Sequence, residues 1–247
     1  PVWAFAVKEF KTFFRDQTQW PQLFLIAALI VIYLYNFSVL PLGPSQPRTM
    51  ALQNLFSFLN MGLAALVLTA VAARFVYPAV SCEGQAFWIV RAAPVSLRAF
   101  LWVKFAVYYL PLLLLAEVLI VSSNILLQVK PLMMALSVTT ILLVVPGVVA
   151  MGVGFGAAYP DFLSENPAQS VTSFGGLLFM LSAAAFIAAV IILEAGPLYP
   201  LFRAEFYGRS LTAFQLSWMF ASFALVVVLC ALAVVIPMRL GEKRLRQ

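Results

Sequence analysis

The sequence predicts an all-α, polytopic membrane protein, and three observations predict it. Hydrophobic residues fill 64% of the 247 positions, and mean hydropathy is +1.02. Charged residues supply only 10%, against about 25% in a soluble domain. Apolar runs of about 20 residues, enough to cross a bilayer as a helix, recur along the whole chain. Such runs are too many for one signal peptide. The polar segments between them are too short for an independent core, so residues 1–247 read as a single transmembrane domain.

Bounding the apolar runs by Pro, Gly, Asn and charge gives six spans. The first runs from about Trp20 to Leu40 and ends at Pro41-Leu-Gly-Pro44. The second covers about Asn54 to Tyr77 and the third about Lys104 to Leu127. A turn at Gln128-Val-Lys-Pro131 leads to the fourth, about Leu132 to Ala158. The fifth covers about Phe174 to Leu193 and the sixth about Phe214 to Met238. Lys8, Lys11, Arg15, Arg74, Arg91, Arg98, Lys104, Arg239, Lys243, Arg244 and Arg246 then fall on one side, and Arg48, Lys130, Arg203 and Arg209 on the other. The positive-inside rule places both termini in the cytoplasm. The net charge of +6 is accounted for by this orientation signal and by attraction to anionic lipid headgroups, with no nucleic acid required.

Ahead of the first span, residues 2–16 place Trp3, Ala6, Val7, Phe10, Phe13 and Phe14 at helical spacing, with Lys8, Lys11 and Arg15 elsewhere on the wheel. That pattern predicts an amphipathic helix lying in the interface. The competing reading is a plain cytoplasmic extension of the first span. Gln17-Thr-Gln-Trp-Pro21, a break before the membrane, favours the interfacial one.

The stretch from Ser81 to Lys104 is too polar to span and too aromatic for a slack linker. Ser81 is placed to cap a helix start, with Glu83 in its first turn, and Pro94 ends that helix. Ser96 caps the next one. The expectation is a cytoplasmic helix over residues 81–94. Phe87 and Trp88 either anchor it in lipid or dock a cytoplasmic partner, with Arg91 and Arg98 as charge partners. The next cytoplasmic loop, 159–170, carries Asp161 and Glu165 without Lys or Arg. It reads as a capped turn or as a surface for a basic partner. Residues 194–210 are expected to be extracytoplasmic and re-entrant, against a simple aromatic belt.

Glu117 falls near the middle of the third span, where a carboxylate costs about 2.5–3.5 kcal/mol and usually faces a bundle interior or wet cavity. Asn124 lies two turns on, with Ser122 close by. These three are candidates for a translocation path, or for a Glu satisfied by a neighbouring helix. Gly152 and Gly156 have GxxxG spacing, which favours close helix packing. No Gly-Lys-Ser/Thr follows them, so this is not a phosphate loop. Cys82 and Cys230 read as small hydrophobes. The absence of His removes the commonest general base and metal ligand, so neither catalysis nor a metal site is expected. Beginning at Pro1, the chain reads as processed, trimmed or the later part of a longer one.

An interfacial run Lys8-Glu-Phe-Lys-Thr-Phe-Phe-Arg-Asp16, six spans and cytoplasmic termini resemble the ABC-2-type exporter permeases. Glu83-Gly-Gln-Ala-Phe-Trp-Ile-Val-Arg-Ala-Ala-Pro94 and Tyr159-Pro-Asp-Phe-Leu-Ser-Glu-Asn-Pro167 are similar to runs in a bacterial group of ABC exporter permeases. The resemblance implies a transmembrane subunit of an ATP-driven exporter in the bacterial inner membrane. Residues 2–16 would be its connecting helix and 81–94 its coupling helix. Glu83, Phe87, Trp88, Arg91 and Arg98 would dock an ABC ATPase dimer, which would hold ATP and Mg; this chain would hold no cofactor. The other partners implied are a second permease copy or paired half, and membrane lipids. The alternative is a secondary transporter or channel with Glu117 in its pathway. Such a protein usually shows more intramembrane charge and an internal repeat.

Overall fold

The structure is a computed structural model that describes residues 7, 20–39, 47–92, 94–162, 167–207 and 212–246. Its α-helices are α1 (Trp20–Ser38), α2 (Pro47–Phe75), α3 (Phe87–Ala92), α4 (Leu97–Leu126), α5 (Pro131–Ala158), α6 (Phe174–Tyr207) and α7 (Ala213–Leu245). Short 3-10 turns occupy Tyr77–Ala79 and Ser81–Ala86 before α3, and Pro167–Thr172 before α6. No β-strand occurs among the described residues. The expected interfacial helix over 2–16 lies outside them except for Val7, which is helical.

Among the described residues five segments are long and apolar enough to cross a membrane: α2 from Gln53, with the 3-10 turns that prolong it, α4, α5, α7, and α6 up to Leu198. In α1 the apolar segment is shorter, Ile26–Phe37. The long helices alternate in direction, so the chain has two ends. One, the junction end, collects the end of α2, α3, the start of α4, the end of α5 and the end of α7. The opposite end collects the start of α2, the end of α4 and the start of α5.

Helix α5 is the centre, packed by α2, α4, α6 and α7 and buried almost continuously from Val144 to Ala158. Its glycines permit this. A Cβ at Gly156 would run into the Tyr77 carbonyl, and one at Gly152 would come within 2.9 Å of Val76. The GxxxG pair therefore seats the end of α2 and the turn after it. Gly154, between them, faces the backbone of Pro237 in α7. Outer faces stay apolar: Leu110, Leu114 and Val118 on α4 and Leu225, Val228 and Leu232 on α7 are all exposed. A continuous apolar surface of this kind marks contact with lipid or another apolar body.

Helix α4 begins at Leu97, where the expected cap holds it: the Ser96 hydroxyl accepts from Ala99 N at 3.2 Å. Two other expectations change. The helix expected over 81–94 is split, since Gly84 adopts φ 51°, ψ −141°, a conformation few residues but glycine enter. Ser81 caps nothing; its hydroxyl accepts from Asp161 N at 3.0 Å instead. Residues 194–207, expected to re-enter, continue α6 through Pro197 and Pro200. A continued helix satisfies most of its backbone within itself, which an irregular segment at membrane depth does not. Residues 208–210 lie outside the described ones.

Candidate functional site

The junction end gathers most of the described charge and the tightest aromatic cluster. The 3-10 turn carries Glu83 inward, and two turns inside α4 stands Lys104. Their side chains meet at 2.9 Å, with only 5% and 2% exposure. Removing two charges from water this completely costs several kcal/mol per ion, so the pair holds only as long as both partners are present. The Lys104 ammonium also lies 5.1 Å from the centre of the Phe100 ring, a cation–π contact.

Phe87, the first residue of α3, fills the space beside this pair. It stacks on Phe162 with ring centres 4.7 Å apart and tilts against Phe100 at 6.1 Å. Arg91 lies 5.7 Å from the Phe87 ring, and its Nη2 donates to the carbonyl of Leu245 at 2.6 Å. That carbonyl is one of the orphan acceptors at the end of α7, and a cation is well placed there. Arg244 sits 5.0 Å from the Tyr159 ring and ties α7 to the end of α5. The Tyr77 hydroxyl hydrogen-bonds the Ser173 hydroxyl at 3.1 Å, joining the turn after α2 to the start of α6. The junction thus joins every long helix of the body except α1.

The expected docking residues do not form one outward face. Glu83 and Phe87 are buried in the chain's own packing, and Arg91 is committed to α7. Trp88 is 67% exposed, with Ile89 exposed beside it. Arg98 is exposed at the start of α4. Asp161 is exposed and holds Ser81 through its backbone, while Glu165 lies outside the described residues.

The opposite half is joined by neutral groups. Tyr33 in α1 donates to Asn60 Oδ1 in α2, and Asn60 Nδ2 donates to Ser123 in α4 at 2.6 Å. One turn away, Ser57 donates to Asn124 Oδ1 at 2.7 Å, and Asn124 Nδ2 donates to Ser137 in α5 at 2.6 Å. Thr140 then donates to Glu194 Oε1 in α6 at 2.7 Å, and Ser222 in α7 donates to the carbonyl of Leu193. Each long helix is linked to the next by side chains that carry hydrogen bonds without formal charge, Glu194 excepted.

The three candidates for a path engage different neighbours. Asn124 is fully buried in this network. The Ser122 hydroxyl turns back onto the Val118 carbonyl of its own helix at 2.5 Å. Glu117 is half-buried, with Oε1 enclosed and without a described hydrogen-bond partner. Glu194, taken from sequence as the start of the re-entrant segment, is 1% exposed. Lys104, taken as an orientation charge, is the buried partner of Glu83. A signal for the opposite half was present in the sequence. The neighbours Gln53 and Asn54, then Ser57 and then Asn60 follow at three- to four-residue steps in an apolar run, which is one inward polar face of a helix.

The glycines of α5 are packing contacts: Gly154 and Gly156 are closed by the backbones of Pro237 and Tyr77, and Gly147 and Gly152 by the side chains of Phe186 and Val76. Gly84, the one described glycine with positive φ, is followed by Gln-Ala-Phe rather than Lys-Ser/Thr.

An all-helical body with five long apolar helices and an apolar exterior is compatible with a membrane protein. The whole chain, residues 1–247, matches the family described as "Putative ATP-binding cassette", and the chain belongs to that family. No curated protein and no solved structure matches it. The family match corrects the assignment to the exporter permeases: the description names an ATP-binding cassette and not a permease, so the export function implied by that resemblance does not stand. What the match carries is the coarser statement, membership among ATP-binding cassette proteins.

Proposed function

We propose that this chain is a membrane-embedded component of an ATP-binding cassette system, and that its junction passes nucleotide-linked movement to the helical body. The observation that carries the reading is the buried Glu83–Lys104 pair beneath α3, flanked by Phe87 on Phe162 and Arg91 on the end of α7. A displacement of α3 cannot be absorbed locally, because the ion pair and the stacked rings tie it to α4 and to the segment after α5. Trp88 and Ile89 form the outward face through which the rest of the system meets it.

In this reading α1 completes six spans, both termini and the junction face the cytoplasm of a bacterium, and the membrane is the inner one. The distribution of Lys and Arg supports that orientation. ATP and Mg are engaged outside the described residues.

The exposed thiol of Cys82 lies inside the junction and reports on it directly. In native membranes its rate of maleimide labelling should differ between Mg-ATP and Mg-ADP, and Trp88→Ala should remove the difference. An identical rate with both nucleotides would sink the proposal. Photolabelling with azido-ATP should leave residues 20–39, 47–92, 94–162, 167–207 and 212–246 unmarked, and a label within them would move the nucleotide site onto the described body.

A further inference from the structure

At the junction end a groove opens between the start of α4 and the end of α7. Its floor is Leu101 and Met238, both buried. Its walls are Trp102 and Val235, each 40% exposed, and its rim carries Arg98 and Arg239. Glu242 also lines it, but its carboxylate is bridged to Arg246 one turn on. Among the described residues neither Arg98 nor Arg239 has a carboxylate partner. The groove therefore pairs two open guanidiniums with an apolar floor.

The position decides what such a groove takes. Arg98 is the second residue of α4, and Arg239 lies in the last two turns of α7. Both stand at the level where an apolar helix leaves a bilayer, and Trp102 is the amphipathic ring expected there. From Arg239 an exposed apolar stripe runs back along α7 through Val235, Leu232 and Val228, at helical spacing toward the middle of the membrane. A ligand that matches the whole surface has an anionic oxygen cluster at one end and a hydrocarbon tail at the other. Arginine is suited to the first because its planar fork binds phosphate oxygens in pairs.

We infer that this groove is a binding site for an anionic phospholipid of the leaflet at the junction end, with the phosphate held by Arg98 and Arg239 and an acyl chain laid along Val235, Leu232 and Val228. The inference needs the helices to span a membrane, but not the ATP-binding cassette reading. The two therefore fail separately.

The test uses the purified full chain in detergent, titrated with phosphatidylglycerol or phosphatidylcholine and followed by native mass spectrometry. Phosphatidylglycerol should be retained in preference to phosphatidylcholine. Arg98→Gln with Arg239→Gln should weaken its binding about tenfold or more, the range expected for loss of charged hydrogen bonds. Arg74→Gln, which removes an exposed cation of the same end away from the groove, should leave binding unchanged. Arg98→Lys with Arg239→Lys keeps both charges and should lose only part of the affinity, which gives a readout even if the neutral pair misfolds. The inference is overturned if Arg74→Gln weakens binding as much as the groove pair does, since the attraction would then be diffuse. It is overturned also if phosphatidylcholine binds equally, or if inorganic phosphate displaces the lipid fully, which would mark a site for free phosphate.

Discussion

The two ends of this bundle are held together by different chemistry. At the junction end, helices meet through full charges: Glu83 with Lys104 and Arg91 with the end of α7, among stacked aromatics. At the opposite end they meet through amides and hydroxyls passing hydrogen bonds from Tyr33 to Ser123 and from Ser57 to Ser137. The difference follows from what each contact loses when it opens. A buried ion pair forfeits a large attraction and leaves charges stranded, so it behaves as a latch. Neutral interhelical hydrogen bonds in membrane proteins average about 0.6 kcal/mol, so such a network opens in small steps. The comparison teaches that movement entering at the junction arrives as a unit, while the opposite half is built to yield gradually.

The largest effect should come from breaking the latch on one side. Lys104→Met takes the ammonium away from the buried Glu83 carboxylate and should destabilise the chain by about 3–5 kcal/mol. Adding Glu83→Leu should return most of that loss, as measured by unfolding of the full chain in detergent. If the double variant stays as unstable as the single one, the pair is not what holds the junction.

That pair also shows where the sequence stops informing. Charge counting used Lys104 only as a marker of orientation, and nothing within one helical turn hints at Glu83, twenty-one positions away. A non-local pair of this kind has no sequence period. The helices themselves were legible, because the apolar runs are long and Pro, Gly and charge bound them. Ser96 as a cap and Gly152 with Gly156 as packing contacts were legible too, since each rests on local spacing. The Gly84 break was not, because Ser81, Glu83 and Pro94 together describe a plausible unbroken helix and the competing conformation of one glycine decides the matter. Glu194 was assigned to the re-entrant segment 194–210 because Gly196 and Pro197 read as the end of the fifth span, whereas α6 continues through them. Function suffered most: the topology that suggested an exporter permease is shared by many helical membrane proteins, and the family match names an ATP-binding cassette instead.

A second, smaller loss should follow from Gly156→Ala, placed where α5 meets the turn that leads to the junction. The added methyl has to displace the Tyr77 carbonyl, and overpacking of this kind costs about 1–3 kcal/mol. Gly62→Ala is the contrast within the same bundle. Its Cβ would meet Ile191 at 3.5 Å, an ordinary contact, so stability should change by less than about 0.5 kcal/mol. Equal losses at both sites, in the same unfolding assay, would mean that α5 is not closed against the junction as described.

Asn124→Leu probes the neutral end. It deletes the bonds to Ser57 and Ser137, yet both hydroxyls sit on helices with carbonyls in reach. Ser137 already lies 2.8 Å from the Met133 carbonyl. The expected loss is about 1 kcal/mol and no more than about 2. A loss as large as that of Lys104→Met would erase the distinction between latch and graded network.

The smallest effect is expected at Glu194, and it sharpens the comparison most. Thr140 donates to Glu194 Oε1, so that contact needs an oxygen acceptor on the side chain and nothing more. Glu194→Gln keeps the oxygen, the length and the volume, and changes only whether the group can carry charge. If the opposite half is neutral throughout, this variant should unfold within about 0.5 kcal/mol of the parent chain, the scatter of substitutions that disturb no special feature. Glu194→Leu should do worse, by about 1 kcal/mol, because Thr140 loses its acceptor in α6 and has to turn back onto a carbonyl of its own helix. A large shift for Glu194→Gln would instead reveal a second ionic contact in the membrane. The two ends would then differ in degree and not in kind.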